Sequence, residues 1–138
     1  MLESHSFSVK TGGLCDIIDI TGHVARIISG SKMKSGLVNI FVAGSTASIS
    51  TMEFEPNLVK DMKEALEKIA PENKTYHHKE TWHDDNGFSH VRATLMKPEI
   101  TVPFENKKLV LGMWQQIILL DFDERPRNRE IRVTVLGE

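Results

Sequence analysis

Residues 91–136 contain five runs: Val91-Arg92-Ala93-Thr94-Leu95-Met96, Ile100-Thr101-Val102-Pro103-Phe104, Leu109-Val110-Leu111, Gln116-Ile117-Ile118-Leu119-Leu120-Asp121-Phe122 and Ile131-Arg132-Val133-Thr134-Val135-Leu136. Each is short and β-rich, and Pro, Gly, Asn or charged residues separate them. Read as five consecutive strands, they argue for a largely antiparallel sheet or sandwich. Upstream, Phe7 and Val9 alternate with polar neighbours as a short strand ended by Gly12-Gly13, and Ile17 to Ile20 forms another apolar run. Leu37 to Val42, opened by Gly36, is apolar on both faces and reads as a central strand covered above and below.

Two helices interrupt these strands. Thr21 suits an N-cap, Val24, Ile27 and Ile28 share one face, and Gly30 sits where a left-handed C-terminal residue belongs. The second runs from Pro56, with Leu58, Val59, Met62, Ala65, Leu66 and Ile69 at helical spacing, Glu55 complementing its dipole and Pro71 stopping it. The fold class expected is α+β: a largely antiparallel sheet or sandwich of seven to eight strands with two main helices, in one domain over residues 1–138.

The chain has 138 residues, of which 40% are apolar and 26% charged, proportions of a soluble globular protein rather than a disordered one. A formal net charge of −2 gives no global attraction for nucleic acid or acidic membranes, so any anion site must be local. Cys15 has no partner for an internal disulfide, no apolar run reaches membrane-spanning length, and the N-terminus lacks a signal-peptide pattern. A cytoplasmic protein is the expectation.

Chemistry-bearing residues concentrate between Thr75 and Thr94. His77, His78, His83 and His90 fall there among Glu80, Asp84, Asp85 and Asn86. If Tyr76 to Glu80 borders one strand and Ser89 to Ala93 begins the next, the loop between them turns His78 and His90 towards one point, with Asn86 beside them. Imidazole and carboxylate are ligands for zinc and agents of acid–base work, although the spacing matches no local zinc motif and composition alone also fits a polar loop. Ser45 and Thr46, in a small-residue stretch after the central strand, could offer hydroxyl and N–H donors to phosphate oxygens, although composition alone favours a plain strand-to-strand turn. Glu53, ahead of the long helix, is free to act as metal ligand or general base. Arg125, Arg127 and Arg129 make a compact anion receptor, or a charged turn neutralised by its own carboxylates, the reading favoured for Arg129. Trp114 reads as core or subunit contact.

Taken in order, Asp19-Ile20-Thr21, Ser45-Thr46-Ala47, Glu53 ahead of Pro56, Tyr76-x-His78, Asn86-x-x-x-His90, Leu111-Gly-x-Trp-Gln115 and Asp123-x-x-Pro126-Arg127 resemble the secondary thiamine-phosphate synthase (YjbQ-like) family over nearly the whole chain. Gly44 stands where many members have His, and Met113 where many have Thr. The resemblance implies a small homotrimer with polar sites near subunit boundaries and a weak transferase activity. That activity joins the pyrimidine and thiazole halves of thiamine phosphate with release of pyrophosphate. In that setting His78, His90, Glu53 and Arg127 are the catalytic candidates, and Ser45, Thr46, Asn86, Gln115 and Arg125 bind the small phosphorylated substrate. A divalent ion, zinc or magnesium, is the expected cofactor, with His78 and His90 as its candidate ligands; neither nucleic acid nor membrane is an expected partner. The alternatives are a metal-dependent hydrolase or lyase using His78, His90 and Glu53, and a binder of a small anion without turnover.

Overall fold

The computed structural model describes residues 1–138. Eight strands and four helices follow in the order β1 (Leu2–Lys10), β2 (Asp16–Asp19), α1 (Thr21–Gly30), β3 (Gly36–Val42), β4 (Ala47–Met52), α2 (Pro56–Ile69), α3 (His78–Trp82), α4 (Gly87–Met96), β5 (Glu99–Glu105), β6 (Lys108–Leu109), β7 (Gln116–Asp121) and β8 (Asn128–Gly137). They form two sheets, one of five strands in the order β1-β8-β3-β5-β6 and one of three in the order β2-β7-β4. Every pairing is antiparallel, as the run of consecutive strands predicts.

The main core lies between the sheets. Val38, Ile40, Val42, Val133 and Val135 from the large sheet meet Ile49, Ile117 and Leu119 from the small one, and α1 adds Val24 and Ile28. A second core covers the small sheet's other face, where Ile17, Ile118, Leu120 and Phe122 meet Leu66 of α2 and Ala93 of α4. The strand covered on both faces is therefore β7, whose residues from Ile117 to Asp121 are all buried. The expectation placed that role on β3. Although β3 is the middle strand of its sheet, its outer face is open, with Leu37 48% and Phe41 38% exposed. Each fully buried Ile or Leu of β7 contributes about 1.5–3 kcal/mol of burial, which makes this strand the anchor of both cores.

Glu55 caps α2, accepting from the N–H groups of Asn57 (3.0 Å) and Leu58 (2.8 Å). These bonds, the Asn57 one foremost, hold its carboxyl below the usual carboxylate range. At α1 the capping differs from expectation. Thr21 is the first helical residue; its N–H (2.9 Å) and hydroxyl (2.6 Å) both donate to Asp19, and the hydroxyl accepts from the Ile117 N–H at 2.8 Å. Gly30 ends that helix without a left-handed φ, which among glycines belongs to Gly13 (φ +75°).

Two further helices replace expected strand structure. His78–Trp82 is one, and the run Val91–Met96 belongs to the other, α4. Phe88, Ser89, Arg92 and Ala93 are buried together, which is helical spacing rather than alternation. Arg92 hides the period because it is polar and yet buried, donating to the Ala70 carbonyl (3.0 Å) and to Glu67 (2.8 Å). The Ser89 hydroxyl donates to the Phe122 carbonyl and that of Ser48 to the Ala93 carbonyl, tying α4 to the small sheet.

Candidate functional site

The chain leaves α2 at Ala70, is turned by Pro71, and fixes Tyr76 by its hydroxyl, which donates to the Pro71 carbonyl at 2.6 Å. One short helix follows and ends at His83 in the left-handed conformation (φ +59°). The Asn86 carbonyl then accepts from the N–H groups of Ser89 (3.0 Å) and His90 (3.4 Å), opening α4. Gly87 is there for closeness: a Cβ at that position would stand 2.6 Å from Cβ of Tyr76 and 3.3 Å from Cβ of His78. This close approach of α3 to α4 lays the rings of His78 and His90 together, with centroids 4.6 Å apart and planes inclined by 34°.

Three buried polar atoms at this point have no hydrogen-bond partner: Nδ1 of His78, Oδ1 of Asp84 and Oδ1 of Asn86. The first two lie 3.0 Å apart, but off the line a hydrogen bond requires. Each unsatisfied buried group costs about 1–3 kcal/mol, a cost that a proton, water or ligand bridging them would remove. His90 is pushed below the ordinary imidazole value, by burial first and by the neighbouring His78 second. Asp84, Asp123 and a backbone contact with Ser45 oppose the shift without cancelling it. His90 is thus held towards its neutral, proton-accepting form.

A cleft of about 440 Å³ opens over the two imidazoles, walled by Tyr76, Gly87, Val91 and Leu95. A smaller one of about 220 Å³ lies on the Ser45 side of His90, bounded by Gly44, Ala47 and Pro98. The Gly44–Thr46 turn is held from behind by Arg129, which donates to the Thr46 hydroxyl at 2.7 Å and to both oxygens of buried Asp121 at 2.8 and 2.9 Å. A Cβ on Gly44 would meet that guanidinium at 2.9 Å. Arg129 is accordingly neutralised within the fold, as expected.

Arg127 donates through Nε to Asp123, the buried carboxylate that acts on His90, and keeps 37% of its side chain exposed. Arg125 is exposed, with its carbonyl against Gly13. His78, His90, Asn86, Ser45, Thr46 and Arg127 therefore gather at one end of the small sheet. Glu53 and Gln115 do not. They lie beyond the other end of the β4–β7 pair, where Met52 faces Gln116 in register, roughly 20 Å from Ser45 at about 3.3 Å per residue. Gln115 there donates to the Thr51 hydroxyl at 3.2 Å and accepts from the Gly112 N–H at 3.1 Å. Trp114 is 68% exposed and so is not a core residue. Two residues that spacing did not single out belong to the site: Asp84 beside His78, and Asp121 behind the Ser45 turn.

No three His, Cys, Asp or Glu side chains converge as a metal-ligand set. The donors present are the His78 nitrogen and the Asp84 oxygen, 3.0 Å apart, and the unpaired amide oxygen of Asn86 at the start of α4. An oxygen-rich set of that kind suits magnesium better than a structural zinc.

The profile of the UPF0047 protein YjbQ-like family matches residues 5–138. The chain belongs to that family. A UPF0047 protein of Methanothermobacter thermautotrophicus is 37% identical over 130 residues, 94% of this chain and 89% of its own. A UPF0047 protein of Archaeoglobus fulgidus is 37% identical over 129 residues, covering 94% and 98% of the two chains. Among solved structures, a YbjQ-like protein of unknown function from Sulfolobus solfataricus superposes with a TM-score of 0.89 at 31% identity over 100% of both chains. A UPF0047-family structure from Clostridium acetobutylicum gives 0.87 at 32% identity over 96% and 99%. The two-sheet α+β architecture is thus that of solved UPF0047 proteins.

Proposed function

We propose that the paired imidazoles form the catalytic pocket for a small phosphorylated substrate. The reaction is the joining of a pyrimidine diphosphate to a thiazole phosphate with loss of pyrophosphate. One observation carries the pocket: a half-buried imidazole, His90, held towards its neutral form, against a second imidazole, between two carboxylates and beside the Ser45–Thr46 turn. The resemblance of the motifs supplies the reaction. In that reaction the thiazole nitrogen attacks the pyrimidine methylene carbon. The carbon–oxygen bond breaks, and its electron pair leaves with pyrophosphate. Positive charge grows on the pyrimidine and remains on the thiazolium product, so neutral His90 accepts a hydrogen bond from the pyrimidine amine while Asp84 and Asp123 supply negative potential. Arg127 and the Ser45 and Thr46 groups receive the pyrophosphate, with Asn86 holding the ring.

Glu53 and Gln115 join this pocket only if a second copy of the chain brings them. Phe54, Met113 and Trp114 are exposed at their end, and Trp82, Val91 and Leu95 at the histidine end, so a head-to-tail homotrimer covers both apolar surfaces at once. A light-scattering mass of three chains supports it; a monomer mass rejects it. The buried free thiol of Cys15 suits a reducing, cytoplasmic setting.

In the assay with both phosphorylated rings, the protein is expected to form thiamine phosphate and to be inhibited by pyrophosphate. Arg127→Ala is expected to lose both properties; normal turnover in that variant contradicts the reading. Ligand binding without product under every divalent metal makes the protein a binder instead. The three unpaired donors of His78, Asp84 and Asn86 favour a second reading, a metal-dependent hydrolase or lyase. Metal-free protein, purified without chelator and with its histidines intact, rules that one out.

A further inference from the structure

A second cleft, of about 720 Å³, lies between α1, the β5–β6 turn and the loop entering β7, away from the histidine pocket. Its floor is apolar, made by Ala25, Leu109 and Leu111, and Arg26, Lys107 and Lys108 stand around it. None of these three cations has a carboxylate within 4.0 Å, not even Lys108, whose register partner is Glu105. No Asp or Glu lines the cleft. Three unopposed positive charges around one concavity, on a chain whose formal net charge is −2, concentrate a local field that favours an anion.

The walls are fixed before any ligand arrives. Asn106 and Lys107 take left-handed φ values of +51° and +62°, as a two-residue hairpin turn requires, and the Lys107 N–H donates to the Lys34 carbonyl at 3.0 Å. Opposite, the Gln115 N–H donates to the Gly112 carbonyl at 3.0 Å, and its side chain accepts from the Gly112 N–H and donates to Thr51. The start of α1 is held to β7 through Thr21. A preformed cleft with an apolar floor and a few convergent charges is the usual form of a small-molecule site.

We propose that this cleft binds a small organic phosphate, with its ring or chain on Leu109 and Leu111 and its phosphate gripped by Arg26 and the two lysines. Met113 and Gln115 of this cleft also lie at the end that the proposed trimer covers. The proposal rests instead on Arg26, Lys107, Lys108 and the apolar floor of a single chain, so failure of the transferase assay leaves it standing. The test is a titration of the full-length, isotope-labelled chain with phenyl phosphate, followed by backbone amide resonances. Saturable shifts at Arg26, Lys107, Leu109 and Leu111 are expected, with little response to phenol, which lacks the charge. The double variant Arg26→Gln/Lys108→Gln alters only exposed side chains and is expected to bind about tenfold more weakly or worse. His90→Ala is expected to bind as the wild type does. Shifts that fail to saturate, that persist unweakened in the double variant, or that are confined to the His78 and His90 region overturn the proposal.

Discussion

Asp121→Ala is expected to remove about 3–5 kcal/mol of stability, the cost of stranding a buried charge. Asp121 is fully buried and Arg129 nearly so. The carboxylate takes two hydrogen bonds from Arg129, one from the Thr11 hydroxyl at 2.5 Å and one from the Asp123 N–H at 3.0 Å. Truncation strands the Arg129 charge and the Asp123 N–H inside the protein, leaving Arg129 only the Thr46 hydroxyl and Thr11 only a longer contact with the Arg127 carbonyl at 3.3 Å. Because domains of this size are stable by about 5–15 kcal/mol, the variant sits near the edge of folding. A urea denaturation midpoint close to the wild-type value contradicts this account of the network.

The same carboxylate gives a pH dependence whose sign is fixed. Burial pushes the Asp121 carboxyl up, but Arg129, Thr11 and the Asp123 N–H outweigh burial and hold it below the ordinary range. The folded protein therefore binds this proton less readily than the unfolded chain. The stabilisation is present above about pH 4, the ordinary Asp value, and is lost as the pH falls through the lower folded value.

His90→Ala is expected to lower turnover of the proposed reaction by about 10²–10³-fold, the usual effect of removing one preorganised electrostatic partner. The half-buried ring is not a core residue, so the fold survives its loss. The acid limb of the wild-type kcat/KM profile belongs to the same group. Activity that needs neutral His90 persists below the ordinary imidazole value of about 6.5 and disappears as the pH falls through the depressed one. Undiminished turnover in the variant removes His90 from the mechanism.

How far the sequence was legible depended on which residues kept to their period. The α2 helix announced itself through apolar spacing, Pro56 and Glu55, and the strands around Val102, Leu119 and Val133 through β-branched runs. The α4 helix was hidden because Arg92, a charged residue, occupies a buried position, while Val91 and Leu95 face outward. A single wrong period there turned one helix into an expected strand. Leu37 to Val42 misled for a different reason: its outward Leu37 and Phe41 are apolar without being covered. At the site, the Asn86 and His90 spacing is that of one helical turn, which places both at the start of α4 near His78. Glu53 and Gln115 share no short-range spacing with that turn, and their separation from it is set by the length of β4, which no motif encodes.

The central claim is that His78 and His90 act on one another in a single pocket, and imidazole titration by NMR in wild type and His78→Gln tests it most directly. The account predicts that His90 titrates below about 6.5 in the wild type and moves upward in His78→Gln, because one of the groups opposing its protonation is gone. A His90 that titrates at the ordinary value in the wild type, or that is indifferent to the loss of His78, contradicts it.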